Sequence, residues 1–592
     1  MQKFISNRLR IKFKYIMYGL SAICFLLSIS IGQFDESFNY RWLVFWLHIV
    51  SVLSIVTLYI KESVYNKKLG EVSERDILAF GFVLIVIEAV SLLFLTDYPF
   101  VSVGDEVRDG GLNTMQIADG TLQNIFAYGR YDAHGLIIPT ITSFFYQLFG
   151  GSVLTYRFPS ALLACIEVAA IFMLMRMQLN RTAAFFSALV LATLPLHIFF
   201  ARTQVVVAFN SFWSSIILLS LYLLLKKKRA VDYAFFGTII GFVFGFHAAI
   251  RVVAILVLLC VIGISLYEIV SKFIKKHQIR NSLLKLFLLV LFCFVGFGPR
   301  LLFSNTTNFL HTSRFVLQQD AETKTMPTMQ EVQTIKDNYL KSLMVWFYEP
   351  TQYMYPDHKP IFPPLLAAFF LLGIGHSLFV VKNPFLYVLT FLIITVPLLS
   401  SAITDSINAD HRLSPLMPIG IVFVGVGVYY VFSLVKYKYA RYTLGILLYI
   451  YLLFQPSGFF INQPANKNYD IKDYLSMHII KFIKSKQNIQ FQNVAYSNTT
   501  VLNNNMCIFV SLMNYQNLSL AHYQEQYQYF LPNVIVQTKS DAGINDNEAY
   551  LFNGSCPTDY KTTIKQHTIS CNSMKHDFFC PLNFTGNIVI HY

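Results

Sequence analysis

"ILAFGFVLIVIEAVSLLFL" fills residues 77–95, and a few residues later the chain reads "VGDEVRDG", at 103–110. The first string is long enough to cross a hydrocarbon core of roughly 30 Å. The second sets Asp105, Glu106 and Arg108 at the mouth of that span. Ionisable groups at such a depth are costly against lipid, so they face protein or water. What they do there depends on which side of the membrane they occupy and on what other charges gather with them.

Apolar runs like the first recur between residues 14 and 460. The chain has 592 residues, 55% of them hydrophobic and 13% charged, whereas a soluble chain carries about 25% charged residues. The fold class is therefore an all-α polytopic membrane protein. The runs lie near 14–32, 41–60, 77–96, 155–177, 183–200, 207–225, 233–250, 252–271, 284–303, 361–381, 385–402, 413–435 and 442–460, about 13 transmembrane helices in all. The first has no small-residue cleavage site after it and is read as a retained helix rather than a signal peptide.

The net charge of +14 follows from this layout. Basic residues fill the short loops "KESVYNKKLGEVSER", "QLNRT", "KKKRAVD", "SKFIKKHQIRNSLLK", "VKNP" and "KYKYARY", the bias expected of cytoplasmic loops. No nucleic-acid partner is needed to explain it. The tail "MQKFISNRLRIKFK" holds five basic residues and no acid, which places the N-terminus in the cytoplasm. An odd number of spans then puts the C-terminus outside. Three long segments share that outer side: 97–154, 304–360 and 461–592.

The domains are thus a membrane domain, 1–460, and a small C-terminal extracytoplasmic domain, 461–592, of α/β or mixed type. In the latter, "NVAYSN", "NVIVQT" and "GNIVIHY" read as strands, and "YDIKDYLSMHIIKFIKSK" repeats apolar residues at helical spacing. Four of the eight cysteines, Cys507, Cys556, Cys571 and Cys580, fall in this domain. Without any C-x2-C pair they suit two disulfides in an oxidising compartment better than zinc. Cys24, Cys165, Cys260 and Cys293 lie in apolar runs and read as small buried hydrophobes.

The first outer loop is more than a connector. "GLNTMQIA" suits a short helix, and "GLIIPTITSFFYQLFG" is apolar and aromatic but too short to span, as befits a segment lying in the interface. The acidic pair with its arginine, then "GRYDAH", "LFG" and "YRFPSALL", resembles the first outer loop of GT-C glycosyltransferases. The nearest groups are the protein O-mannosyltransferases and the aminoarabinose transferases of lipid A. The resemblance extends over roughly 77–460 and is densest over 97–163.

That resemblance implies transfer of a sugar from a polyprenyl-phosphate donor to a lipid, glycan or protein acceptor on the outer face, with inversion. Such chemistry calls for a carboxylate that orients or deprotonates the acceptor, fixed cations for the departing phosphate, and an apolar groove for the prenyl tail. Asp105 matches the acid that heads the family motif, and Glu106 would position Asp105 or the acceptor. Arg108 matches the arginine of "DExR" in the aminoarabinose transferases. His134 stands where many relatives carry Lys-Pro or His-Pro, here followed by Gly135.

The other candidate substrate-binding residues are Arg202 in "FFARTQ", Arg251 in "FHAAIRVV", Arg314 in "HTSRF" and Arg412 in "NADHRLSPLMP". Asn210 occupies the region where relatives place a second acid. Arg251 reads either as a phosphate contact or as a surface arginine snorkelling from a span end. His411 reads as a loop histidine. The aromatic stretch that ends 304–360 reads as an interfacial belt, as a wall over the substrate entrance, or as both.

No metal motif, DxD or P-loop is present. No cofactor is expected, with a divalent cation left open. A lipid-linked sugar flippase or transporter, or a polysaccharide ligase, is the alternative. A transporter would place ionisable groups along a mid-span path, yet only Glu88 and Glu167 stand there, apart from each other. The "DExR" pattern points to a bacterial inner membrane.

Overall fold

The computed structural model describes residues 2–35, 37–65, 73–95, 99, 106, 110–111, 113–127, 135–150, 153–276, 278–303, 329–352, 355, 359–403, 407–462 and five strands beyond them. Among the described residues, nine helices are long and apolar enough to cross a membrane. Arg181–Thr193 and Pro195–Ala201, bent by 65° at Pro195, together make up to ten. The chain is a multi-pass membrane protein.

The expected spans fall on helices, with two informative differences. The run at 77–96 forms the helix Glu74–Leu92, which stops early because Leu93 is extended and Phe94 takes a positive φ of 55°. The run at 233–250 forms the shorter helix Ala230–Val243. It ends where Phe244, Gly245 and Phe246 turn back on the carbonyls of Gly241, Phe242 and Val243. A Cβ on Gly245 would lie 2.3 Å from the Arg300 guanidinium carbon, so this turn packs closely against the Arg300 and Ile137 side chains.

Burial separates a centre from a rim. Phe209–Lys227 and the segment Asp410–Leu434 are each 72% buried over their apolar windows, whereas Lys12–Phe34 is 22% buried. Helices apolar on every side suit the centre; those that bury one face leave the other to lipid. Where helices cross closely, glycines carry the contact, as expected without a hydrophobic force between spans. A Cβ on Gly241 would stand 1.9 Å from the Cys293 carbonyl oxygen of Arg280–Phe297, and one on Gly427 would stand 2.0 Å from that of Phe369.

Ion pairs sort the loops into two ends. At one end Asp76 accepts from Arg176 Nε (2.8 Å), Arg181 Nε (2.7 Å) and Ser73, joining the helices Glu74–Leu92, Val153–Gln178 and Arg181–Thr193. Beside it, Arg229 pairs with Asp232 at 2.6 Å and donates to the Glu62 carbonyl at 3.3 Å. These are the loops whose basic excess marks them as a set.

Beyond the bundle, β1 (Met506–Val510), β2 (Val534–Gln537) and β3 (Ala549–Phe552) form a sheet of order β2-β1-β3, parallel on one side and antiparallel on the other. β4 (Gln566–Ser570) and β5 (Asn587–His591) pair antiparallel. The expected strands at 534–537 and 587–591 are present, in a mixed arrangement. The strand expected in "NVAYSN", the helix expected at 469–486, and Cys556, Cys571 and Cys580 lie outside the described residues.

The Arg176 guanidinium, then that of Arg181, holds the Asp76 carboxyl well below the usual carboxylate range. A depressed folded-state value adds stability that is present above the unfolded value of about 4 and is lost as pH falls below it. Asp76→Asn should therefore melt earlier than wild type in detergent at pH 7, by the equivalent of about 1–3 kcal/mol. The gap should narrow on acidification below about pH 4. A gap unchanged down to pH 3 would contradict the assignment.

Candidate functional site

A helix leaves its last carbonyls without partners. Glu74–Leu92 runs out through Leu92, Leu93 and Phe94, which are exposed, between the buried Ser91 and Leu95. Two arginines supply donors to its last turn and to the residues that follow it. Arg202 Nη1 donates to the Val90 carbonyl and Nη2 to that of Phe94, each at 2.6 Å. Arg157 Nη1 donates to the carbonyls of Leu95 and Pro99, each at 3.2 Å. Both cations also oppose the negative end of the helix dipole. Arg202 is fully buried, and its guanidinium carbon lies 5.2 Å from the Phe460 ring centroid.

Arg157 uses the rest of its fork on the outer loop. Its Nε donates to Glu106 Oε1 at 2.8 Å and its Nη2 to Oε2 at 3.1 Å, with the two side chains 1% and 2% exposed. Glu106 Oε1 also accepts from the backbone N–H of Gln204 at 3.0 Å. The buried carboxylate is thus held by a planar two-point contact plus a backbone donor, an arrangement only arginine can provide.

The loop lies directly on Gln204. A Cβ at Gly110 would meet the Gln204 carbonyl oxygen at 2.3 Å, which explains a glycine in "RDGG". Thr114, in the short helix Asn113–Asp119, donates its hydroxyl to the Gly110 carbonyl at 2.7 Å. Gln204 Nε2 donates to Thr142 Oγ1 at 2.9 Å, in the helix Ile137–Phe149. That helix buries Ile137, Ile138, Thr142 and Ser143 and exposes Leu148 and Phe149, so both expected loop helices exist and the second is one-sided.

The segment after Gln204 gathers a second group. Asn210 Nδ2 lies 3.3 Å from His247 Nδ1 and donates to the His411 carbonyl at 3.1 Å. The His247 and His411 rings sit edge to face, 6.0 Å apart. Arg251 Nε and Nη2 donate to the Phe246 carbonyl at 3.0 and 2.6 Å. At 3% exposure it is no surface arginine, so the snorkelling reading gives way. Arg412 follows His411 in the short helix Asp410–Leu413.

Asp410 is buried and accepts from the backbone N–H groups of Tyr355 (2.5 Å) and His411 (2.6 Å), tying this helix to the aromatic segment that precedes the helix Pro364–His376. The end of the first outer loop reaches the same place, because a Cβ at Gly135 would collide with the Gly245 carbonyl. Glu106, Arg202, Arg251 and Arg412 therefore lie at one end of the bundle, linked by residues 202–210. Asp105, Arg108, His134 and Arg314 lie outside the described residues.

Beside this group is a cavity of about 480 Å³, lined chiefly by apolar and aromatic side chains including Leu196, Phe347, Tyr355, Phe362 and Phe454, with Lys359 at its wall. It shares the helix Pro195–Ala201 with the arginine site, since that helix ends at Arg202. Among the described residues, no group of three or more His, Cys, Asp and Glu side chains is placed to hold a metal ion.

Arg157 and Gln204 are the residues that reading the sequence missed. Arg157 stood in the quoted "YRFPSALL", and a buried arginine opposite an acidic loop was a signal available there. Gln204 acts mainly through its backbone, which carries no mark in the sequence.

Residues 133–303 match the family model of dolichyl-phosphate-mannose-protein mannosyltransferases. The match begins after Glu106 and contains His134, Arg157, Arg202 and Arg251. No curated protein matches the chain. Two solved structures are similar over most of it. One is ArnT from Cupriavidus metallidurans bound to undecaprenyl phosphate, at 12% identity and a TM-score of 0.45, covering 79% of this chain and 86% of that one. The other is the archaeal oligosaccharyltransferase AglB from Archaeoglobus fulgidus, with an inhibitory peptide and a dolichol-phosphate. It has 12% identity and a TM-score of 0.42, over 78% of this chain and 64% of that one. Over residues 133–303, the family match bears out the resemblance to polyprenyl-phosphate-dependent transferases.

Removing one partner of a buried pair strands the other charge, at a cost of about 3–5 kcal/mol. Glu106→Gln and Arg157→Met should each lower the melting temperature in detergent. The double variant should be less destabilised than the two added together, by about 1–3 kcal/mol of coupling. Additive effects would contradict the pair.

Proposed function

We propose that the chain is a membrane glycosyltransferase that moves a sugar from a polyprenyl-phosphate carrier to a lipid, glycan or protein acceptor, on the extracytoplasmic face and with inversion. The observation that carries this reading is the clamp on Glu106. A carboxylate next in the chain to Asp105 is fixed by Arg157 and the Gln204 N–H. It is held against residues 202–210, whose far end, at Asn210, meets His247 and the His411 carbonyl, and Arg251 and Arg412 stand on the elements that those two histidines begin and share. The family match over residues 133–303 supports the choice of chemistry.

In this reading Glu106 is a positioning residue and Asp105 the catalytic one. When the acceptor is a hydroxyl, its proton passes to the Asp105 carboxylate as its oxygen bonds to the anomeric carbon. The bond from that carbon to the carrier phosphate breaks, and its electron pair leaves on the phosphate. Charge grows on the phosphate oxygens during the step, so cations already in place lower the barrier without reorganising. Arg251 and Arg412 fill that role, together with Arg108, His134 and Arg314. Arg202 contributes by closing the helix end. The apolar cavity at Leu196 and Phe454 accepts part of the prenyl chain.

The basic loops and N-terminal tail set the other end in the cytoplasm. This leaves the acidic loop and the C-terminal domain on the periplasmic side of a bacterial inner membrane. Reaction from a lipid-borne donor also explains why a carboxylate sits at the membrane edge.

The test is transfer by purified protein from a panel of labelled polyprenyl-phosphate sugars, with a membrane extract as acceptor. Asp105→Asn should cut turnover by about 10²–10⁴-fold, the usual contribution of a general base. A donor turned over equally well by wild type and Asp105→Asn would overturn the catalytic assignment.

A further inference from the structure

Glu167 stands inside a span, in the helix Val153–Gln178, and the chemistry above gives it no task. It is not solitary in three dimensions. Its Oε1 accepts from the hydroxyls of Ser211 (2.5 Å) and Ser215 (3.4 Å), and its Oε2 lies 3.3 Å from His197 Nε2. All four residues are at least 98% buried, as exposures of 2% for Glu167, 2% for His197, 1% for Ser211 and 0% for Ser215 show. An ionisable group so far from water is costly unless fully engaged, so its retention calls for a reason.

The three groups around the carboxylate come from two other elements. Ser211 and Ser215 belong to Phe209–Lys227. His197 belongs to Pro195–Ala201, the short arm beyond the 65° bend. An arm of two turns cannot define its own position, since short helices are marginal without tertiary contacts. Pro195 also withholds a backbone donor at the bend. The arm leads directly to Arg202, whose fork closes the helix Glu74–Leu92, and then to Gln204, whose N–H holds Glu106. Whatever fixes the arm fixes both contacts.

We propose that Glu167 and His197 form a positioning pair: the buried carboxylate locks the short arm through His197, and the arm in turn sets Arg202 and Gln204 against the acidic outer loop. The proposal extends the transfer reading, because the loop it positions carries Asp105. What the pair supplies is a hydrogen bond of fixed geometry. A glutamine at 167 can still accept from His197 Nε2–H through its carbonyl oxygen and donate through its amide to Ser211 Oγ. The ring then keeps the tautomer that leaves no proton on the buried Nδ1, an atom that has no partner among the described residues.

Hydrogen–deuterium exchange on the full chain in lipid nanodiscs decides the matter without any substrate. Glu167→Leu should speed exchange about tenfold or more in peptides covering 88–95 and 202–210, the size expected for losing one hydrogen bond to a charged group. Peptides around Asp76 and 229–232 at the other end should keep wild-type rates. Glu167→Gln should restore protection at 88–95 and 202–210. Unchanged exchange at those outer segments in Glu167→Leu would overturn the proposal. So would a loss of protection spread over both ends, or a Glu167→Gln variant as exposed as Glu167→Leu. With a polyprenyl-phosphate sugar that wild type turns over, Glu167→Leu should lower kcat at least tenfold while KM for that sugar stays within about twofold. If no sugar is turned over, the transfer reading falls and the exchange result still decides the positioning.

Discussion

Everything at the acidic-loop end of this bundle depends on how one helix stops. Glu74–Leu92 runs out through the exposed Leu92, Leu93 and Phe94, and the carbonyls at Val90, Phe94 and Leu95 are met by side-chain donors. Arg157 and Arg202 meet them from two other helices. Because Arg157 also grips both oxygens of Glu106, satisfying the helix end and orienting the acidic loop are one event. A lysine, with a single point charge, would serve the first need poorly and the second not at all. The same segment that brings Arg202 brings Gln204, so the loop is held from two sides.

The opposite end uses the same device for a different purpose. Asp76 binds Arg176 and Arg181 across the turn between their two helices, and Arg229 binds Asp232 where Ala230–Val243 begins. Between the two ends the spans have no hydrophobic drive to associate, and close backbone approach at Gly241 and Gly427 replaces it. The result is a bundle fastened at both faces by ion pairs and in the middle by shape. Glu167 is one mid-bundle exception, and its partners all come from the bent span and its neighbour.

Much of this was legible in the sequence. Apolar runs gave the spans because a hydrocarbon core demands about twenty apolar residues, and basic loops sorted the ends. The short loop helices at 113–119 and 137–149 followed from apolar pattern and length. Glu106 and Arg251 were visible as charges in unusual places. Their partners were not, because a contact such as Arg157 to Glu106 joins residues that only the fold brings together. The early stop at Leu92 also escaped notice, since nothing apolar marks it. The same holds for the shortened helix ending at Val243, where Phe244, Gly245 and Phe246 turn out of a run that composition would have continued. Gln204 was hidden for a further reason: a backbone N–H is the same at every residue.

The central claim is that the two-point contact of Arg157, and not its charge alone, sets the carboxylate on which sugar transfer depends. Arg157→Lys tests it most directly, by steady-state turnover of a polyprenyl-phosphate sugar under conditions where the variant remains folded by its melting curve. The account predicts a fall in kcat of at least about tenfold, since near-attack geometry is lost when a positioning group is displaced by about 1 Å. A lysine variant that turns over at the wild-type rate would contradict it.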